Sequence, residues 1–286
     1  MGRVAIVTDS ASDFDPARAA SLGIAIVPLV VSFGDQTFSA GVDLTREDFW
    51  AKVKNPAEPI ATTAACSPGT FQIAYQKAFD DGAESIVSVH VADALSGTLK
   101  AAQVARASFP DRDIRIVDST SASMGEGMLA EIAVDMANAG QPASAIAEEL
   151  EDRRADLQVY LALETLEYLK RGGRISGAQA AIGTLLSVKP IIEIKHSKVE
   201  TTERVRTRGK ARERLLELFA ARPIERMSVL HTTDADVEAF AEQLVAAAGL
   251  DRSRVTIDLV GPSVGPHLGP GCVGGVALYT RASRPA

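Results

Sequence analysis

An α/β fold in two lobes, the first built on a parallel sheet, is the architecture this sequence predicts, on three observations. Short apolar runs alternate with helix-like segments through the first half of the chain. That pattern changes near residue 155, and 286 residues exceed the usual size of a single domain. Alternating strands and helices imply crossover units and a parallel sheet covered on both faces. Two lobes are therefore expected, 1–155 and 156–286, the second of α/β or α+β type.

The elements follow in order. Val4 to Val7 is a β-branched run that ends at Thr8-Asp9-Ser10. Pro16 to Leu22 reads as a helix, and Ile24 to Val31 as the next strand. Helices are expected over Ser67 to Phe79 and Gly97 to Ser108, with strands at Ser85 to Val91 and Ile114 to Val117. Met124 to Asn138 and Pro142 to Arg154 are two further helices, divided by Ala139-Gly140-Gln141. In the second lobe, strands are expected at Val159 to Leu163, Ile191 to Ile194, Arg226 to His231 and Val255 to Val260. Thr165 to Lys170 reads as a helical turn; residues 178–187, Gly209 to Ala221 and Asp234 to Ala248 carry helical periodicity.

Composition narrows the function. A formal charge of −7 opposes general phosphate-backbone binding, which needs a basic face, so no nucleic-acid partner is expected. No apolar stretch approaches the roughly 20 residues a membrane-crossing helix requires. The start, GRVAIVTDSASD, turns acidic after four apolar residues, unlike a signal peptide, and a cytoplasmic location is expected. Cys66 and Cys272 are too few for a disulfide framework and are expected as buried thiols. His90, His196, His231 and His267 form no metal-ligand spacing, and no metal site is expected. Trp50 and the nine phenylalanines are expected to pack the core.

In open parallel sheets ligands sit beyond the carboxyl ends of the strands, where helix N-termini present unpaired N–H groups. Four loops at such positions carry hydroxyls and glycines. They are Thr8-Asp9-Ser10 with Ser12 and Asp13, Thr62-Thr63 with Ser67-Pro68-Gly69, Leu95-Ser96-Gly97-Thr98, and Asp118-Ser119 with Ser121 and Ser123. Each residue is also a plausible helix cap, and the clustering is what points to a ligand. Ser96-Gly97-Thr98 follows a strand and opens a helix, which suits an anion cradle. Neither a phosphate-binding G-x-x-x-x-G-K-[ST] loop nor a G-x-G-x-x-G turn follows a strand. Near the C-terminus, Gly261 to Gly271 holds His267 among glycines and prolines, as a shaped lip. Arg171 and Arg174 flank Gly172-Gly173 and suit a carboxylate or phosphate.

Together these motifs resemble the DegV family. Thr8 to Asp13, the Thr63 to Pro68 loop, Leu95 to Thr98, Val117-Asp118-Ser119, Tyr168 to Ile175 and Gly265 to Gly271 occur in the family's order and spacing across nearly the whole chain. The resemblance implies two α/β lobes holding one long-chain fatty acid between them in a tunnel. It also implies a non-catalytic protein that presents the carboxylate to a partner fatty acid kinase, with no cofactor besides the lipid. Carried over by motif, Thr63, Ala64, Ser96, Gly97, Arg174 and His267 would surround the carboxylate. Where the family commonly has Thr-Ser-Gln-Pro-Ser, this chain reads Thr63-Ala64-Ala65-Cys66-Ser67, so Ala64 could contribute only its backbone N–H. Two other functions remain open. One is a Ser–His acyl hydrolase or acyltransferase using Ser96 and His267, although G-x-S-x-G is missing. The other is a small-ketone binder like dihydroxyacetone kinase components, using His90.

Overall fold

The computed structural model describes residues 2–175 and 188–283. The chain opens with Val4–Asp9 (β1), a 3-10 turn, Pro16–Leu22 (α1), Ile24–Val27 (β2), Val30–Phe33 (β3) and Gln36–Ser39 (β4). Arg46–Lys54 (α2), Ala61–Ala64 (β5), Pro68–Asp80 (α3), Ser85–His90 (β6), Thr98–Arg106 (α4) and Asp113–Asp118 (β7) come next. Met124–Asn138 (α5), Ala143–Arg153 (α6), Leu157–Ala162 (β8) and Glu167–Arg171 (α7) lead to residue 175. After residue 187 come Lys189–Lys195 (β9), Lys198–Val205 (β10), Arg208–Ala220 (α8), Ile224–His231 (β11), Val237–Ala248 (α9), Val255–Leu259 (β12), Gly265–Leu268 (α10) and Val273–Tyr279 (β13). The helix expected over residues 178–187 lies outside the described residues.

Local chemistry explains the first crossover. Asp15 accepts hydrogen bonds from Ala17 N and Arg18 N, Pro16 occupies the first helical turn, and Gly23 at φ +67° stops the helix, so β2 starts at once. Strands β2-β1-β6-β7, in that order, form a wholly parallel sheet, with Ile6 opposite Ile24 and Val87, and Val89 opposite Val117. Successive strand residues point to opposite faces, and every residue from Ile86 to His90 is buried, so both faces of this sheet are covered. Helices α3 and α4 pack on each other and on the sheet, as do α5 and α6.

The single strand expected from Ile24 to Val31 is two strands in two sheets. Pro28 cannot donate to a ladder, and the chain leaves the parallel sheet there. Beyond it, β4-β3-β5 make a small antiparallel sheet turned through Gly34 at φ +58°, which places Thr63 opposite Val31.

The second sheet runs β10-β9-β8-β13-β11-β12 and is antiparallel apart from β11 with β12. Its core gathers Leu215, Phe219, Met227, Phe240 and Leu244. Central β13 is buried at every residue and admits only glycine at two places: a Cβ on Gly274 would lie 2.1 Å from Tyr160 O, and one on Gly275 would lie 2.6 Å from Ser228 O.

Two compact units result. The first comprises Met1–Thr45, Pro59–Ala155 and Gly261–Ser263; the second comprises Arg46–Glu58, Asp156–Val260 and Val264–Ala286. The change at 155/156 is thus accompanied by exchanges in both directions. Helix α2 belongs to the second unit, where Trp50 Nε1 donates to Val260 O at 2.8 Å and Phe49 and Trp50 lie against Gly265. In return, Gly261 N donates to Asp13 Oδ1 at 2.8 Å in the first unit.

Candidate functional site

In the first unit, the C-terminal ends of the parallel strands converge on one edge, and backbone strain is concentrated there. Asp13, Thr120 and Ser123 adopt φ of +55°, +53° and +55°, and all follow β1 or β7. Hydrogen bonds fix these turns. Asp13 accepts from Ser123 Oγ at 2.5 Å as well as from Gly261 N. Ser10 Oγ receives Leu29 N at 2.8 Å and lies 2.7 Å from Ser263 Oγ, and Ser12 Oγ donates to Asp9 O at 2.7 Å.

Ser96 and Gly97 stand at the same edge, ahead of α4. Ser96 is half-buried; its Oγ lies 2.9 Å from Thr98 Oγ1 and receives Thr98 N at 3.3 Å. Gly97 is exposed, and a Cβ there would sit 3.7 Å from Ala65 Cβ, so the 63–67 and 95–98 loops are neighbours. Thr63 is half-buried on β5, Ala64 is exposed beside it, and Ser67 caps α3 by accepting from Thr70 N at 3.1 Å. Thr63 and Ala64 at the end of β5 thus adjoin Ser96 and Gly97 ahead of α4 in one unit. Ser10, Ser12 and Asp13 are engaged in holding that edge.

Arg174 and His267 belong to the second unit. A Cβ on Gly172 would lie 2.1 Å from His267 Nδ1, so the glycine after α7 is what lets the imidazole pack there. Arg174 Nη1 donates to Gly172 O. Burial, with the neighbouring Arg174 guanidinium, pushes the His267 pKa down to about 4, so the ring is neutral at pH 7. The expected Gly/Pro lip is ordered more tightly than a loop: Gly265–Leu268 forms a helical turn. Gly269 follows at φ +70°, its carbonyl receiving Thr232 Oγ1 at 2.7 Å.

One array escaped sequence reasoning. His90 Nδ1 lies 3.1 Å from Asp9 Oδ2, and His90 Nε2 lies 2.7 Å from Ser88 Oγ, which is 2.9 Å from Tyr75 OH. Ser88, His90 and Asp9 therefore have the connectivity of a Ser–His–Asp triad. All three are 0% exposed, so no substrate reaches the serine, and the His90 ring is taken up by core partners rather than offered to a ketone. Glu126 completes the cluster, receiving Thr8 Oγ1 at 2.7 Å and Asp9 N at 3.3 Å. Burial, then the charge of Asp9, raises its pKa well above the ordinary carboxylate range. Asp9, His90 and Glu126 are the one group among the described residues with three metal-capable atoms mutually within 4.8 Å. The Ser-x-His spacing on β6, which puts both side chains on one face, was the available signal. Outside these loops, an open groove of about 730 Å³ on α3 is lined by Ile73, Gln76, Phe109 and neighbours, and no predicted site residue lines it.

Comparison with known proteins adds the context. A family model described as "Uncharacterised protein, DegV family" matches residues 3–280. A DegV domain-containing protein of Streptomyces coelicolor is 37% identical over 281 residues, covering 95% of this chain and 96% of the relative. Among solved structures, a DegV family protein from Thermus thermophilus, described by its fatty acid binding, is 35% identical with a TM-score of 0.87, covering 97% of this chain and 100% of that one. A fatty acid binding protein from Bacillus subtilis, also of this type, is 29% identical with a TM-score of 0.84, covering 98% and 100%.

Proposed function

From the premise that the chain belongs to the DegV family, we propose that it binds a single long-chain fatty acid in an internal tunnel and presents the carboxylate to a partner kinase, which makes the acyl phosphate. The observation that carries the binding reading is the pairing of the Ser96-Gly97 cradle beside the Thr63 loop with relatives described as fatty acid binding.

The chemistry supports it. A carboxylate is costly to bury unless several donors receive it. The Thr63 and Ser96 hydroxyls and the Ala64 and Gly97 amides are the donors assigned in the first unit. His267, neutral at pH 7, is assigned as a hydrogen-bond donor rather than a counter-ion, and Arg174 as the cation by the head group. Binding energy comes chiefly from the acyl tail, at roughly 0.8 kcal/mol per buried methylene. The protein's role is to hold and deliver. Its Ser88–His90–Asp9 array is sealed in the core and reaches no acyl ester, whereas turnover of an acyl ester that is lost in Ser96→Ala would favour the Ser96–His267 hydrolase over a carrier.

The test is fatty-acid uptake by delipidated protein. Ser96→Ala and Thr63→Ala are each expected to weaken binding about tenfold, corresponding to about 1.4 kcal/mol for one lost hydrogen bond to a charged group. Unchanged affinity in both would remove the carboxylate from this cradle. For the kinase step, loaded protein incubated with ATP and a fatty acid kinase catalytic subunit is expected to yield acyl phosphate, and neither component alone should do so.

A further inference from the structure

Asp9 and Glu126 are both 0% exposed, and no lysine or arginine is among their partners in the described residues. Two ionised carboxylates so placed would repel each other and lose hydration, and His90 is the one cationisable side chain beside them among the described residues. Counting donors shows where the compensation must enter. Asp9 is well supplied: Oδ1 receives Ala11 N at 2.9 Å, and Oδ2 receives Val91 N at 3.2 Å with His90 Nδ1 beside it. Running the buried chain as Tyr75 to Ser88 to His90 to Asp9 gives each hydroxyl and the Nδ1 hydrogen an acceptor. Glu126 Oε1 has two donors, whereas buried Oε2 has no partner. Protonation would turn this orphaned acceptor into a donor, and a carboxylate oxygen of Asp9 lies within 4.8 Å of one of Glu126.

We propose that Glu126 is held as a neutral carboxylic acid whose Oε2 proton is shared with the Asp9 carboxylate, and that this buried proton positions the loops around the candidate site. The pair ties together the end of β1, the turn at Ala11, the residue after β6 and the first turn of α5. Loss of the proton places a second negative charge among them. Other buried titratable or charged groups on the elements packed around Glu126 are His90 on β6, Cys66 ahead of α3, Asp13 after β1 and Arg153 on α6, with Glu131 on α5 itself paired to Arg18; Asp135 on α5 and Glu148, Glu149, Glu151 and Asp152 on α6 are not buried. Burial and Asp9 both favour the protonated form. The native state then binds one more proton than the unfolded chain above the ordinary Glu pKa of about 4.3, so stability falls as pH rises toward the raised folded value.

The experiment compares the full-length wild type with Glu126→Gln and Glu126→Ala. Glutamine reproduces the neutral acid, with an amide N–H for Asp9 and a carbonyl for Thr8 and Asp9 N. Urea unfolding between pH 6 and 9 is expected to show a folding constant that falls with pH by up to tenfold per unit more steeply in wild type than in Glu126→Gln. Infrared spectra of wild type at pH 7 are expected to show a carboxylic-acid C=O band that shifts on ¹³C-glutamate labelling and is absent from Glu126→Gln. On the fatty-acid reading, Glu126→Gln retains lipid uptake and Glu126→Ala loses it. Equal pH slopes, no such band, or a stoichiometric metal ion at the cluster would overturn the proposal. Should Glu126→Gln not fold, the wild-type band decides alone. Slope and band require no lipid, so a failure to bind fatty acid would overturn the functional reading and leave this one standing.

Discussion

At neutral pH the His267 imidazole carries no charge, because burial and the Arg174 guanidinium hold its pKa near 4. A histidine whose folded pKa is depressed binds fewer protons folded than unfolded, so stability should fall as pH drops from about 6.5 toward 4. Proton NMR of the ligand-free protein should find this ring neutral down to about pH 4; a bound carboxylate should raise the value. Cys66 and Cys272 are buried free thiols whose pKa values burial pushes far up, leaving little thiolate. Both should resist alkylation in the folded protein and react together on unfolding, as mass spectrometry would show. Sequence reasoning singled out Thr8 to Asp13, Ser96 and His267 because glycines, hydroxyls and strand ends are visible in one dimension. It missed Glu126, which lies 117 residues from Asp9, since the helix that carries it is apolar around it and its partner is found only in the fold.

Among the elements, α1, α3, α5 and strands β1, β6 and β7 lie within a few residues of expectation, whereas the run read as one strand from Ile24 to Val31 divides at Pro28. Strand β13 was not legible, because Gly274 and Gly275 weaken a strand signal. They are there for packing, so Gly274→Ala, which would press against Tyr160 O and the Leu161 backbone, should cost about 3 kcal/mol in urea unfolding. The β3–β4–β5 sheet was hidden because four-residue, half-exposed strands such as Gln36–Ser39 leave no apolar period. Helix α2 was missed because its buried residues reduce to Phe49 and Trp50 on an otherwise charged segment. Gly172→Ala differs from Gly274→Ala in kind: its Cβ meets a side chain that can move, so the expected result is displaced His267 and weaker lipid binding with little loss of stability.

For the whole molecule, the sequence showed an α/β chain with a change near residue 155, yet only the structure shows segments exchanged between units at Arg46–Glu58 and Gly261–Ser263. Such exchanges arise from contacts distant in sequence, which no local period encodes. No helix among the described residues is long and apolar enough to cross a membrane, and the DegV family spans the chain almost end to end. Native mass spectrometry of the purified protein, followed by denaturation and lipid extraction, determines whether each chain carries one fatty acid molecule. The expected result is a single added mass per chain, released as an unmodified long-chain fatty acid and diminished in Ser96→Ala and His267→Ala; a lipid-free protein that also fails to take up added fatty acid would overturn the fatty-acid reading.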